Sequence, residues 1–444
     1  MDDLLVGAET IFQFGSARET SVPRVTCARS SGAAVRVSAP SSFPGRWRDG
    51  AYSGGMRPVV DLLRQAPLID GHNDLLWALR EARDKGEELD PAGPCPQLHT
   101  DLPRLEAGAV GGQFWSVFVP SDLPADRAVT QTFEQIDALF ELIRRNPERL
   151  ELAHTADDVG RIAAGGKVAS MLGVEGGHAI GSSLGTLRIL ASFGAGYLTL
   201  THNDDTAWAD SATGERAHGG LTRFGEEVVR ELNRCGMLVD LSHTSEDTMR
   251  SAIAASEAPV LFSHSNARSL CDVPRNVPDD VLELAGRSGA VIQATFVPWF
   301  LTREGAEANA AGWDELHRLR EVFPDDREAV EKAMTAWFAS QPAPPSAVTD
   351  VADHIDHIRD IAGIDAVGVG SDFDGVEAVP EGLEDVSCYP ALFEELRDRG
   401  YPDEDLGKVA GRNVLRVLRE AERVGGRLRT ERAPSTATIE QLDG

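Results

Sequence analysis

Residues able to bind a metal stand at the ends of several apolar runs in this chain. LIDGHNDLLW (68–77) carries His72 and Asp74 with one residue between them. Glu175 lies near the end of VASMLGVEG (168–176), and His202, His243 and His264 close GYLTLTH (196–202), GMLVDLSH (236–243) and APVLFSH (258–264). AVGVGSDFD (366–374) finishes with Asp372 and Asp374. Imidazole and carboxylate are ordinary zinc ligands. Alternate residues of a strand share a face, so His72 and Asp74 are expected to grip one metal. His243 and His264 are expected to hold a second, with Glu175 as the bridging carboxylate. Paired cations about 3.5–4 Å apart lower the pKa of a shared water towards about 7, which makes a hydroxide nucleophile at neutral pH. Some metal barrels bridge with a modified lysine, but Lys85, Lys167, Lys332 and Lys408 are the only lysines and none ends a run.

Any one of these histidines is better explained as a hydrogen-bonded structural residue. Five such sites at the same end of successive runs argue for a metal site instead. His178, in GVEGGH, is left between orienting Glu175 or a loop and ordinary packing. His354 and His357, three apart in VADHIDHIRDI, precede the last run and fit a helix surface or core. His99, His154, His218 and His317 carry no argument.

Bringing distant residues together requires a scaffold. GGQFWSVFVP (111–120) and GAVIQATFV (289–297) bring the apolar runs to eight, each bounded by Gly or Pro as buried parallel strands are. Helical patterns fill most gaps, for example 130–146, 182–194, 224–236 and 245–256. Strand–helix alternation implies a parallel sheet, and eight repeats predict an α/β fold of the (β/α)8 barrel type, whose active sites sit at the C-terminal strand ends. The stretch 298–347 reads as an inserted lid or side element between the seventh and eighth strands. Residues 1–55 read as a disordered extension, with Met56 as an alternative start. Residues 56–425 are expected to form the barrel domain, and 426–444 a flexible tail.

Composition narrows the function. The chain of 444 residues is 42% hydrophobic, with a formal net charge of −28. That charge disfavours nucleic acid and anionic membranes as partners, and no run approaches the length of a membrane span. Five scattered cysteines without a C-x-x-C pair, no apolar leader and a polar C-terminus point to a reduced, cytoplasmic protein.

LIDGHNDL, GVEGGH, YLTLTHND, VDLSH, FSHS, PRNVPDD and GVGSDFDG together resemble the membrane (renal) dipeptidase family, its bacterial members in particular, within the amidohydrolase-like barrels. The resemblance runs from about residue 60 to 423. It implies a dipeptidase with two Zn2+ ions, His72 and Asp74 on one, His243 and His264 on the other, and Glu175 between. It further implies that His202 contacts the scissile carbonyl and oxyanion, that Arg275 holds the substrate's C-terminal carboxylate, and that Asp372 shuttles the proton. Dipeptides ending in a D-residue fall within the implied range, and a homodimer is the assembly suggested. The animal relatives' secretion, disulfides and lipid anchor do not carry over. Asp374 competes with Asp372 for the shuttle, and an ion pair with Asp279 or Asp280 competes for Arg275. Other chemistry on the same metal pair (a lactonase, β-lactam hydrolase, deaminase or phosphoesterase) and a metal-binding scaffold without catalysis are the alternatives.

Overall fold

The computed structural model describes residues 58–324 and 326–444; the extension expected over 1–55 lies outside the described residues. Nine parallel strands occur among them: β1 (Leu68–Asn73), β2 (Val110–Phe118), β3 (Leu150–Leu152), β4 (Val168–Glu175), β5 (Ala195–Thr199), β6 (Leu238–Asp240), β7 (Leu261–Phe262), β8 (Val291–Ala294) and β9 (Val367–Val369). β1, β2 and β4–β9 close into an eight-stranded ring, because β2 pairs with both β1 and β4 and β9 pairs with both β8 and β1. The expected barrel is therefore present. The added strand β3 pairs with Val168–Ser170 at the start of β4, ahead of the stretch from Leu172 to Val174 that pairs with β5. Three residues are too few for a periodic pattern to reveal.

Helices alternate with the strands and bury their apolar stripes against them, in a core that joins Trp115, Phe262, Ile292 and Val367 of the strands to Leu232, Leu282, Ile355 and Leu392 of the helices. Local chemistry sets the element ends. The helix Arg223–Cys235 starts at Thr222, whose hydroxyl accepts from Gly225 N, and stops at Gly236 with φ 82°. The helix Asp279–Ser288 stops at Gly289 with φ 76°. Left-handed backbone is cheap only for glycine, so each helix turns at once into β6 or β8.

Between β8 and β9 the chain adds two helices, Arg303–Val322 and Arg327–Ser340, that pack on one another through Leu316, Leu319, Val330 and Met334. The inserted element expected at 298–347 is this pair, and its first helix reaches the C-terminal mouth of the barrel. Gly305 permits that approach, since a Cβ there would lie 2.5 Å from the Pro298 carbonyl oxygen.

The domain boundary expected at residue 425 falls inside a helix that runs over Asn413–Glu431. Its apolar stripe continues through Val424 and Leu428, both buried, which the arginine-rich composition of the segment masked. The last residues then return to the barrel. Asp443 accepts hydrogen bonds from Thr222 Oγ1 (2.7 Å) and from the backbone N–H groups of Arg223 and Phe224 (3.1 Å each), capping the helix that precedes β6. Asp443→Ala is expected to lower stability by about 1 kcal/mol, the usual worth of a helix cap, read as a shifted urea midpoint with an unchanged slope.

Candidate active site

Each expected ligand is placed by a strand end. His72 lies in β1 and Glu175 closes β4, while His202, His243, His264 and Asp372 follow β5, β6, β7 and β9 within three residues. Asp74 is one residue beyond β1, at the N-cap of the helix Leu75–Asp84, without a side-chain capping bond. Its meeting with His72 thus comes from the turn at the strand end and not from strand alternation. All of these residues are buried.

Glu175 is the hub. Its Oε1 lies 3.1 Å from His243 Nε2 and 3.7 Å from the Nε2 atoms of both His264 and His202. Its Oε2 lies 3.3 Å from His72 Nε2, which is 3.2 Å from Asp74 Oδ2. The Nε2 atoms of His243 and His264 are 2.9 Å apart. Three overlapping groups have ligand atoms within 4.8 Å of one another: His72–Glu175–His264, Glu175–His202–His243 and His72–Asp74–Asp372. His264 therefore approaches His72 as well as His243.

This donor set fits cations. His72 Nε2, Asp74 Oδ2, Glu175 Oε1, His202 Nε2 and Asp372 Oδ1 are buried without a hydrogen-bond partner. Such groups are costly in a protein interior unless something satisfies them. The tautomers agree. Asp240 accepts from Thr199 Oγ1, Ser263 N and Ser263 Oγ, so Ser263 Oγ is left to accept from His264 Nδ1 at 2.8 Å. Tyr197 donates to Gly71 O and lies 3.0 Å from His72 Nδ1, whose proton it can accept. Both arrangements leave the Nε2 lone pair facing Glu175, as ligation requires. Ser116 donates to Glu175 Oε2 at 2.9 Å. Tyr197, Ser116, Ser263 and Asp240 were not singled out from the sequence. The D-L-S-H and S-H spacings place two of them beside known candidates, whereas nothing local marks Tyr197.

The electrostatics follow from burial. Desolvation, reinforced by Arg275 and neighbouring imidazoles, holds His243 and His264 well below the usual histidine range, so both are neutral. Desolvation likewise lowers His202 to about 4. Burial opposes charge on His72, yet Glu175, Tyr197 and Asp74 keep its proton on. That proton stands where a cation would stand. Burial, with Asp74 and Glu175 adding to it against His72 and Arg275, pushes Asp372 up to about 8. His243 and Asp372 also sit at φ 66° and 68°, a left-handed conformation that costs a non-glycine residue about 1 kcal/mol or more.

Beside the cluster is a narrow cleft onto which His243, Asp372 and Arg275 open. Arg275 is 5% exposed, packs over the Phe300 ring at 5.4 Å and forms no ion pair among the described residues. The competing partners are engaged elsewhere: Asp279 with His357 and Asp280 with Arg250. Asp374 points another way. Its Oδ1 accepts from His99 N, and its own N–H donates to His99 Nδ1. His178 meets the Val119 carbonyl oxygen just past β2 and so anchors a loop without touching Glu175. His354 is a buried structural residue between Ala267 N and Leu301 O.

Residues 56–432 match the family model described as membrane dipeptidase, peptidase family M19. The chain is similar to the probable dipeptidase PvdM from Pseudomonas aeruginosa, at 27% identity over 82% of this chain and 98% of that one, with a TM-score of 0.72. It is similar to a metallo peptidase from Rhodobacter sphaeroides liganded with a phosphinate mimic of the dipeptide L-Ala-D-Ala, at 26% identity over 80% and 99%, TM-score 0.65. The dipeptidase AC, a metallo peptidase, matches at 27% identity over 80% and 99%, TM-score 0.66. The chain belongs to the membrane dipeptidase family and is a metal-dependent dipeptidase. Despite the family's name, no helix among the described residues is long and apolar enough to cross a membrane.

Tyr197→Phe keeps the ring packed on Phe114 and removes the acceptor for His72 Nδ1. Metal affinity is expected to fall about 10- to 100-fold with an unchanged melting temperature, as measured by competition against a chelator.

Proposed function

We propose that this site hydrolyses free dipeptides, including those with a C-terminal D-residue, with two zinc ions held by His72, Asp74, Glu175, His243 and His264. The observation that carries the reading is Arg275, a buried guanidinium with no protein counter-ion, opening on the same cleft as Asp372 and His243. Its planar fork suits a carboxylate. A peptide seated by its C-terminal carboxylate places its last peptide bond at the cluster, and in a dipeptide that is its one peptide bond. The phosphinate dipeptide mimic bound by the Rhodobacter sphaeroides relative supports the substrate class and the D-residue.

When bound, the cations polarise the scissile carbonyl and lower the pKa of the attacking water. The protein's own groups handle the rest. His202, neutral and without a hydrogen-bond partner at either ring nitrogen, is free to donate to the oxygen that gains charge as the carbonyl carbon becomes tetrahedral. Asp372 takes the proton released by the water and delivers it to the amine nitrogen as the C–N bond breaks. Asp374 is unsuited to that task because it is tied to His99. Zinc as the resident ion, a homodimeric assembly and a cytoplasmic setting belong to the same proposal.

The test is dipeptide turnover by the metal-loaded protein and two variants. Arg275→Ala is expected to raise KM by about 100-fold, as loss of a charge-paired contact does, and to remove the preference for a free C-terminus. Asp372→Asn is expected to retain its metal while kcat falls by about 10² to 10⁴. Unchanged kinetics in Arg275→Ala would show that the carboxylate binds elsewhere.

A further inference from the structure

The inserted helix Arg303–Val322 presents a regular buried stripe of Gly305, Asn309, Gly312, Leu316 and Leu319. Its residues do recognisable packing work, with one exception. Gly305 abuts Pro298, Gly312 abuts Phe338, and Leu316 and Leu319 join the inserted pair's own core. Asn309 is polar, and no hydrogen bond satisfies it among the described residues, although it is only 8% exposed. Its amide is therefore left to face the cleft, at a position where a leucine would serve the stripe better. Asn309 lines the cleft that holds Arg275, and Trp313, one helical turn on, lines it as well. Val273, Val297, Phe300 and Val376 give the cleft an apolar wall, beside the polar Asn203 and Thr213.

We infer that Asn309 is a substrate-binding residue: its side-chain N–H groups donate to the C-terminal carboxylate of the dipeptide from the side opposite Arg275, while Trp313 packs on the C-terminal side chain. This rests on the dipeptidase reading above. A carboxylate has about four lone-pair sites, more than one guanidinium edge fills, so a second donor finds acceptors unsatisfied. An amide adds this contact without a second buried charge. The inserted helix thereby becomes part of the specificity site, and the preferred substrates carry apolar C-terminal side chains that fit between Trp313 and the valine and phenylalanine wall.

The test compares wild type, Asn309→Leu and Asn309→Asp on free dipeptides and on the same dipeptides as C-terminal amides. Asn309→Leu extends an apolar stripe, so its melting temperature should not drop. KM for the free acid should rise about tenfold, the worth of one hydrogen bond to a charged group, with kcat altered less than about twofold and the preference for acid over amide narrowed. Asn309→Asp is nearly isosteric and sets a like charge against the substrate carboxylate. Its KM for the acid should rise further than that of the Leu variant, while the amide suffers less. Free-acid KM values within about twofold of wild type in both folded variants would overturn the inference and leave the dipeptidase reading standing. A metal-loaded wild type that cleaves no free dipeptide would overturn that reading and this inference with it.

Discussion

A single buried carboxylate, Glu175, makes contact with four imidazoles in the barrel interior. Groups of this kind repel, desolvate or protonate one another unless a cation settles the balance. No flexible loop would keep them together, so their geometry has to come from a scaffold that cannot relax. The pairing of β2 with β4 shows how that is done. Seven consecutive residue pairs, from Gly112 and Ala169 to Phe118 and Glu175, lock the strand that carries the hub. Slipping this register by one residue would turn Glu175 to the opposite face.

Beneath the cluster, buried polar ties hold neighbouring strand ends at fixed heights. Asp240 joins β5, β6 and the end of β7 through Thr199 and Ser263. Asp70 of β1 accepts from Gln113 of β2 and from Ser371 after β9. Each tie costs the desolvation of an acid, and each is fully engaged, which is the condition under which such networks rigidify a structure. The left-handed backbones of His243 and Asp372 are tolerated for the same reason: the surrounding hydrogen bonds overdetermine them. Stability is thus given up at the strand ends and recovered in the large apolar core between strands and helices.

What the sequence revealed follows from what is local. The strand runs, their terminal acids and histidines, and the alternation with helices are short-range patterns, and the barrel converts them into one site by topology alone. Long-range and irregular features were hidden. β3 is three residues long. Asp74 reaches His72 through a helix-capping turn that alternation does not describe. Tyr197 is 125 residues from the histidine it orients, and nothing in GYLTLTH distinguishes it from a packing residue. Nothing in the sequence separates Asn309 from the other polar residues of the inserted segment, and only the buried stripe around it marks it. The continuation of the helix Asn413–Glu431 past residue 425 was hidden because arginines mask its apolar face.

The overall charge of −28 sharpens the role of Arg275. A field of that sign disfavours anionic ligands at long range, although salt screens it over about 8 Å. A free dipeptide is a zwitterion with no net charge, so it meets little of that barrier. In the proposed binding mode its carboxylate meets, inside the cleft, a guanidinium without an ion pair among the described residues. Burial lowers Arg275 only to about 10, so it stays charged at neutral pH. A surface acid could neutralise it only by entering a cleft lined by Phe300, Trp313 and the valines around them. On this proposal access, more than net charge, governs recognition, and the inserted helix lines the cleft through Asn309 and Trp313.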